Sequence, residues 1–327
     1  YGSVTSFVIS QATTNASGGT LAGQTLVFYQ TNAGYCVAIG ESALGAITTG
    51  DLNTAVGYSA GGAITTGARN VFVGASVAPS NTIGSYNTGV GGRGSDNYNV
   101  LNSNTTGAQL TALGAGALSR NVDGNDNTAI GAYSLGRNIT SDNNTAVGRS
   151  ALAASTSANN TAVGFQAVGV GVLTGGDNVV VGKGAALNAT GMATSVFIGY
   201  QSGGAGVIAG ANNTCVGHNS GYSMIAGASN VLIGRDAGKL LTAGAQNVAI
   251  GHGALDAADT GTAKNYNVAV GTNALGGQTS DASYCVAIGH NALVAQNADV
   301  KNTAIGGLAG SNMVGGNGNT FLGYQSG

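Results

Sequence analysis

The chain has 327 residues, of which 59 are glycine, one is proline and 7% are charged, with a formal net charge of −2. The glycines follow no Gly-X-Y triplet, which excludes collagen, and 43% hydrophobic residues argue against a disordered chain. The near-neutral charge favours neither nucleic acid nor an anionic membrane surface as a partner. The apolar stretches are far shorter than the roughly 18 residues needed to cross a bilayer, so we expect no membrane insertion.

Residues 1–30 carry no recognisable repeat and are predicted to be an N-terminal segment or cap, whereas residues 31–327 form one repeat region. A five-residue phrase, Asn-(Thr/Val)-(Ala/Phe)-(Val/Ile/Leu)-Gly, recurs through this region, most often every 17 residues. Such a period is the signature of stacked repeats. The phrase ends at Gly40, Gly57, Gly74, Gly91, Gly114, Gly131, Gly148, Gly164, Gly182, Gly199, Gly217, Gly234, Gly251, Gly271, Gly289, Gly306 and Gly323.

The three residues before each closing glycine predict a short strand with two unlike faces. Side chains alternate along a strand, so the Val or Thr and the aliphatic residue share one face, while the middle residue, usually Ala, takes the other. We assign the aliphatic face to the core and the Ala face, with Phe72, Phe197 and Phe321 in it, to contacts between copies. The core so predicted includes Ile39, Val56, Val73, Val147, Val163, Ile198, Ile250 and Ile305.

The rest of each repeat predicts a second inward wall and two turns. A small residue three positions after the glycine is followed by Leu or Gly, as at Ala43-Leu44, Ala117-Leu118, Ala151-Leu152, Ala254-Leu255, Ala274-Leu275 and Ala292-Leu293. Asn opens most phrases, and stacked Asn amides can form hydrogen-bonded ladders. Each repeat is therefore interpreted as strand, turn, strand, turn.

A unit this small must stack on its neighbours to bury its apolar side chains. The prediction is an all-β protein, a parallel β-solenoid or β-roll of about seventeen coils of about 17 residues each. A face left apolar on such a thin solenoid is expected to be covered by copies of the same chain. We therefore expect a homotrimeric fibre.

Three phrases carry a resemblance to known families, and they begin at Asn53, Asn144 and Asn247. Their wording, Asn-Thr-Ala-Val-Gly and Asn-Val-Ala-Ile-Gly, resembles the head repeat of trimeric autotransporter adhesins, which builds a left-handed parallel β-roll. It is closer to the repetitive shaft of bacteriophage tail fibres. The resemblance covers roughly residues 31–327, and the repeat is longer than that of the adhesins. It implies a trimer on a virion tail fibre or on a bacterial cell surface.

Sequence motifs that look catalytic are explained as ordinary repeat positions once they are aligned with the repeat. Ser59 lies in a Gly-x-Ser-x-Gly string but occupies the phase also held by Ser42 and Ser150, without the helix that a nucleophile elbow needs. His218, His252 and His290 all follow closing glycines and are assigned to a solvent-facing row. The cysteines Cys36, Cys215 and Cys285 lie in different coils and are interpreted as small buried hydrophobes. We predict no enzyme, catalytic residue, cofactor or metal.

Two interruptions of the repeat are the candidate receptor-contact loops, because insertions in a solenoid map to loops. The interval from Gly91 to Gly114 is 23 residues and that from Gly251 to Gly271 is 20. A plain tolerated bulge is an equally good interpretation of either. The candidate contacts are Asp96, Asn97, Tyr98, Asn99, Asp259, Lys264 and Tyr266.

The leading functional hypothesis is a structural and adhesive segment of an extracellular fibre that projects receptor-binding parts toward a host glycan or protein. The alternative is the head of a bacterial trimeric adhesin or an extracellular filament. A carbohydrate-binding or ice-binding solenoid would need an outward array of Thr. Thr54, Thr128, Thr145 and Thr161 share a face with the predicted core, which disfavours that reading.

Overall fold

A computed structural model describes residues 34–92, 98–256, 264–277, 283–296 and 301–327. The chain divides into two compact units, the first ending at Thr156 and the second starting at Ser157. Across the described ranges every regular element is a strand and no helix occurs. Residues 1–30, predicted as a separate segment, lie outside the described residues.

Each coil contributes one strand of three residues. The first unit contains β1 (Val37–Ile39), β2 (Thr54–Val56), β3 (Val71–Val73), β4 (Thr88–Val90), β5 (Thr111–Leu113), β6 (Thr128–Ile130) and β7 (Thr145–Val147). The second contains β8 (Thr161–Val163), β9 (Val179–Val181), β10 (Val196–Ile198), β11 (Thr214–Val216), β12 (Val231–Ile233), β13 (Val248–Ile250), β14 (Val268–Val270), β15 (Val286–Ile288), β16 (Thr303–Ile305) and β17 (Thr320–Leu322).

Within each unit, consecutive strands pair in parallel and in register. Ala55 of β2, for example, lies opposite Ala38 of β1 and Phe72 of β3. In the second unit, Ala249 of β13 lies between Leu232 and Ala269 in the same way. The predicted parallel β-solenoid is therefore confirmed for the described coils of both units.

The prediction of two strands per coil is wrong, because the second half of the coil is a run of turns. Its backbone still bonds to the next coil, as Leu44 N donates to Ala60 O at 3.0 Å and Ala46 N to Gly62 O at 3.1 Å. However, Ser42 and Leu44 have φ values of 60° and 51°. Left-handed residues at every second position prevent an extended strand.

The assignment of strand faces is inverted. The middle residue is buried in every strand from β1 to β16, as with Ala55 and Phe72 at 0% exposure. The predicted core residues instead face away from the chain's own interior. Ile39, Val56, Val147 and Val163 are only half-buried, whereas Val73, Ile198, Ile250 and Ile305 are exposed at 37–40%.

The small size of the coil explains this inversion. Opposite the strand, the predicted second wall is confirmed, since Ala117, Leu118, Ala151 and Leu152 are all fully buried. With Leu filling the interior from that side, only a side chain as small as Ala fits from the strand. The larger β-branched residues therefore point outward.

Exceptions to the Ala–Leu pairing obey the same volume limit. A Cβ added to Gly61 would lie 2.9 Å from both Phe72 Cδ2 and Ile64 Cδ1. A Cβ on Gly203 would lie 2.7 Å from Phe197 Cε1. Where the strand supplies Phe, the opposite wall therefore supplies Gly, which keeps the interior filled at close packing.

The closing glycines allow successive coils to approach each other. Gly57 has a φ of 133°, and a Cβ on it would lie 2.5 Å from the carbonyl oxygen of Gly74 in the next coil. The same contact recurs at Gly182, Gly199 and Gly217. Only glycine both adopts this positive φ without strain and leaves room for the carbonyl of the next coil.

The predicted Asn ladder is also confirmed, and it is buried. Asn230 Nδ2 donates to Asn213 Oδ1 at 3.1 Å and to Gly244 O at 2.8 Å, while Asn230 Oδ1 accepts from Asn247 N at 3.0 Å. Ser195 replaces Asn in one coil, and its Oγ accepts from Asn213 N at 3.1 Å. Each rung thus ties its own turn to both neighbouring coils.

A second, inner ladder in the first unit was not predicted. Asn104 Nδ2 donates to Asn81 Oδ1, Asn121 Nδ2 to Asn104 Oδ1, and Asn138 Nδ2 to Asn121 Oδ1. Asn81, Asn104, Asn121 and Asn138 occupy the buried position that Ile64 occupies in an earlier coil. They recur at the repeat period outside the five-residue phrase, which is the signal that could have revealed them.

Replacing Gly57 with Ala is expected to destabilise the first unit by about 3 kcal/mol or more, because the new Cβ meets a backbone carbonyl at a positive φ. Gly92→Ala is the matched control, since a Cβ there meets nothing within 4 Å. Chemical denaturation followed by circular dichroism measures both. Similar losses in the two variants would contradict the account of the closing glycine.

Asn230→Ala removes the partners of Gly244 O and Asn247 N inside the core. With about 1–3 kcal/mol for each buried polar group left unpaired, we expect a loss of about 3 kcal/mol. Asn312, which is exposed, supplies the control, and Asn312→Ala is expected to change stability by less than about 0.5 kcal/mol. Superimposable unfolding curves for the two variants would exclude a stabilising ladder.

Candidate functional site

Only part of the first candidate loop can be placed. Asp96 and Asn97 lie outside the described residues, as does Asp259 of the second loop. Tyr98 is half-buried, and the guanidinium carbon of Arg120 lies 5.1 Å from its ring centroid. Asn99 Nδ2 donates to Asn102 Oδ1 at 3.4 Å. The described end of this loop thus contacts both its own coil and the next one.

The prediction that Lys264 contacts a receptor is wrong, because this residue is fully buried. Its carbonyl oxygen accepts a hydrogen bond from Asn247 Nδ2 at 2.8 Å. Gly84 O accepts from Asn70 Nδ2 in the same way. Lys264 therefore occupies a turn position of the regular coil and is not part of the insertion. The 20-residue interval from Gly251 to Gly271 concealed this position in the sequence.

Tyr266 is exposed, as a contact residue should be, but it also occupies a regular turn position. Its ring stacks on that of Tyr284 in the next coil, with centroids 4.8 Å apart and planes 14° from parallel. Both residues have a φ of 60°, like Tyr35 and Tyr86 one residue before their own phrases. The pair forms a small exposed aromatic step.

The residues that follow the closing glycines form an exposed row, as predicted for the histidines. In the second unit we call six of them the basic–aromatic row, and all six are exposed. The ring of Tyr200 stacks on His218 with centroids 5.1 Å apart, and Lys183 Nζ lies 5.8 Å from the Tyr200 centroid. The row consists of Phe165, Lys183, Tyr200, His218, Arg235 and His252.

A charge cluster that sequence reasoning missed lies beside the end of this row. Asp236 accepts from Arg235 Nε at 3.2 Å and lies 3.6 Å from Lys239 Nζ. Burial alone would raise the pKa of Asp236, but the hydrogen bond from Asn219 and the charges of Lys239 and Arg235 outweigh it and hold the pKa below its ordinary value. The carboxylate is thus kept ionised by its neighbours.

Asp256 behaves in the opposite way. Burial raises the pKa of its carboxyl to about 6, the charge of Lys239 counters part of that effect, and Asp236 adds to it. Its Oδ1 is buried without a hydrogen-bond partner among the described residues. Asp236 and Asp256 both lie near Lys239 but differ in their tendency to ionise. The repeat pattern does not reveal this difference, because both residues lie outside the five-residue phrase.

The outward residues of the strands form what we call the outer apolar face. In the first unit it holds Thr or Val in one row and an aliphatic residue in the other, all half-buried or exposed. Val73 and Ile130 are exposed at 37% and 39%. In that unit the face comprises Val37, Thr54, Val71, Thr88, Thr111, Thr128 and Thr145 with Ile39, Val56, Val73, Val90, Leu113, Ile130 and Val147.

Cys215 and Cys285 are buried, as predicted, whereas Cys36 is only half-buried. Burial raises the pKa of the Cys215 thiol far above its ordinary value. Its environment therefore suits packing rather than nucleophilic chemistry. Among the described residues, no group of three or more His, Cys, Asp or Glu is placed to hold a metal ion.

Comparison with protein-family models and with curated protein sequences finds no match for this chain. In the described part of the chain, no helix has the length and apolar character needed to cross a membrane.

The Asp256 carboxyl is expected to make stability fall as pH rises. Its pKa is about 6 in the folded chain and about 3.9 when unfolded, so between these values the folded state binds more protons. Asp256→Asn removes this effect. We expect the variant to melt above the unmodified chain at about pH 7.5 and close to it at about pH 4.

Asp123, an exposed carboxylate, provides the control variant Asp123→Asn. Calorimetric melting temperatures of the three proteins at both pH values decide the matter. A gain for Asp256→Asn that is equally large at both pH values would show that its origin is not the titration of this carboxyl.

Proposed function

We propose that this chain is a structural segment of an extracellular homotrimeric fibre, such as the shaft of a phage tail fibre, that projects receptor-binding parts toward a host surface. The observation that carries the proposal is the outer apolar face. Monomeric proteins seldom expose contiguous apolar surface, and where they do it marks a contact site. Three copies related by cyclic symmetry would bury this face around a common axis.

The chemistry of the face suits such packing. Val, Ile and Thr present methyl groups in rows that repeat with each coil, and β-branched side chains have few rotamers to lose on burial. The Ala and Phe residues that we expected between copies are inside the coil, so the contact moves to the opposite strand face. The expectation of a trimer remains, with a different set of contact residues.

The resemblance to tail-fibre shafts and to adhesin heads supports the same proposal, and it favours a location on a virion or on a bacterial cell surface. The regular surface supports a role as spacer and scaffold. A spacer with three chains gives a distal receptor-binding part reach and multivalency. The head of a bacterial trimeric adhesin is the alternative within this class.

An ice-binding solenoid is a second candidate, favoured by one observation. The outward rows of the first unit contain Thr88, Thr111, Thr128 and Thr145 in successive coils. These threonines point away from the chain's own core, contrary to the expectation that they share a face with it. The same face cannot be both covered by copies and open to ice, so the oligomeric state separates the two candidates.

We expect the purified chain to have three times the single-chain mass by light scattering. The double variant Val73→Lys and Ile130→Lys places two charges in the outer apolar face, and their desolvation is unfavourable. It should lower the measured mass to that of a monomer at micromolar concentration, while the circular dichroism spectrum stays that of strands.

Ile83→Lys with Ile139→Lys is the matched control, because these two isoleucines are exposed at 53% and 51% outside the strands. It should remain trimeric. A monomeric unmodified chain would refute the fibre proposal, and a monomer that also arrests ice growth would establish the second candidate.

A further inference from the structure

Two exposed tyrosines, Tyr266 and Tyr284, are held against each other by the geometry of the coil, and we call them the tyrosine pair. They lie one coil apart, each directly before the residue that opens a strand phrase. Their ring centroids are 4.8 Å apart and their planes are 14° from parallel. Hydrogen-bonded strands are also about 4.8 Å apart. The rings therefore stack at the spacing that the backbone imposes.

The backbone fixes the position of both tyrosines. Tyr266 N donates to Ala245 O at 3.2 Å, and Tyr284 N donates to Asn265 O at 3.0 Å. Both tyrosines have a φ of 60°. The strands that follow them, β14 and β15, pair in parallel and in register. The two rings thus occupy equivalent positions in successive coils, and they meet without any change in the fold.

The tyrosine pair is also open to solvent. Tyr266 is 46% exposed and Tyr284 is 55% exposed, although each ring covers one face of the other. A phenol gives up an electron and a proton to a one-electron oxidant, and the resulting phenoxyl radical carries unpaired spin on the two Cε carbons beside the oxygen. A dissolved oxidant can therefore reach two phenols that already lie in contact.

We propose that the tyrosine pair is an oxidative cross-linking site, at which a carbon–carbon bond between the two rings joins successive coils. An oxidant of the peroxidase class removes one electron and one proton from each phenol, and these reduce one hydrogen peroxide to two waters. The two radicals couple through one Cε of each ring. Each of these carbons then gives its hydrogen to the ring oxygen as a proton, which restores both hydroxyls and both aromatic rings.

Contact between the rings favours coupling within the pair. Radicals on separate molecules must meet by diffusion, whereas here the second ring is already stacked on the first. Holding two reacting groups in contact makes the step effectively unimolecular. Rotation of the two side chains about χ1 and χ2 then brings the Cε carbons together. The stacked faces belong to the reacting partners, so stacking favours the reaction.

The same position elsewhere in the chain shows that the fold does not require a tyrosine pair. In the first unit, Tyr86 lies at the equivalent position, and Arg69 precedes it by one coil. The guanidinium of Arg69 donates to the Tyr86 hydroxyl at 2.9 Å. A radical on Tyr86 has no second phenol at the position one coil earlier. This pair supplies a natural control.

The bond would close a covalent ring around one coil, residues 266–284. Repeats of a solenoid contact only their neighbours, so coils can separate from one another one at a time. A cross-link that spans one coil restricts the unfolded chain and opposes that separation. Oxidation would therefore strengthen the second unit at one defined junction. The site lies within one chain and does not depend on the trimeric state.

Treatment of the full chain with a haem peroxidase and hydrogen peroxide tests the proposal. We expect the fluorescence of a biphenol, a chain mass lower by two hydrogen atoms, and a yield that does not fall when the protein is diluted. Cleavage before Asp281 separates the two tyrosines, so the product joins two peptides that mass spectrometry identifies. Tyr284→Phe keeps the ring and lacks the phenol, and it should abolish the product. Tyr86→Phe is the matched control and should leave the yield unchanged.

Arg69→Tyr tests whether coil geometry directs the coupling, because it places a second phenol one coil before Tyr86. This variant should form an additional product that joins residue 69 to Tyr86. Absence of that product, an unchanged yield from Tyr284→Phe, main products that join separate chains, or no biphenol from the unmodified chain would each overturn the proposal.

Discussion

Close backbone contact between successive coils is the constraint on which the rest of this structure depends. At the closing glycine, the carbonyl of the next coil occupies the space that a Cβ would need. This approach keeps each coil in register with its neighbour and makes the interior narrow. A narrow interior accepts Ala from the strand and Leu from the opposite turns, or Phe from the strand only where the turns supply Gly. The larger β-branched residues are left on the outside, so the interior volume determines the chemistry of the surface.

Features that belong to a column of the repeat could be predicted from the sequence. The parallel solenoid, the closing glycines, the buried Asn ladder and the Ala–Leu wall each recur with the period and need no three-dimensional information. Alternation along a strand shows which residues share a face, but it does not show which of the two faces is buried. Comparing volumes would have settled it, because Val56 is too large for a space that Ala55 and Leu44 already fill. Lys264 was misplaced for a related reason, since an unequal interval hides which residues keep the regular phase.

The exposed rows differ in how much their residue types vary from coil to coil. The outer apolar face repeats with little variation, which is what the proposed contact between identical copies would require. The position after the closing glycine varies freely from Glu41 to Tyr58 to Arg149. Side chains can therefore change there without disturbing the packing, which is why the basic–aromatic row and the charge cluster around Asp236 have no counterpart in the repeat phrase.

The buried Asn ladder also limits how the length of such a chain can change during evolution. Each amide accepts from the backbone N–H of the next Asn and donates to the turn carbonyl that precedes that Asn, in nearly the same geometry at Asn213 and Asn230. Losing or duplicating one whole coil recreates every bond at the new junction. Losing one or two residues inside the strand phrase shifts all later rungs out of alignment. Insertions and deletions in genes of this design should therefore come in multiples of about fifty nucleotides, one coil at a time, or be confined to the turns.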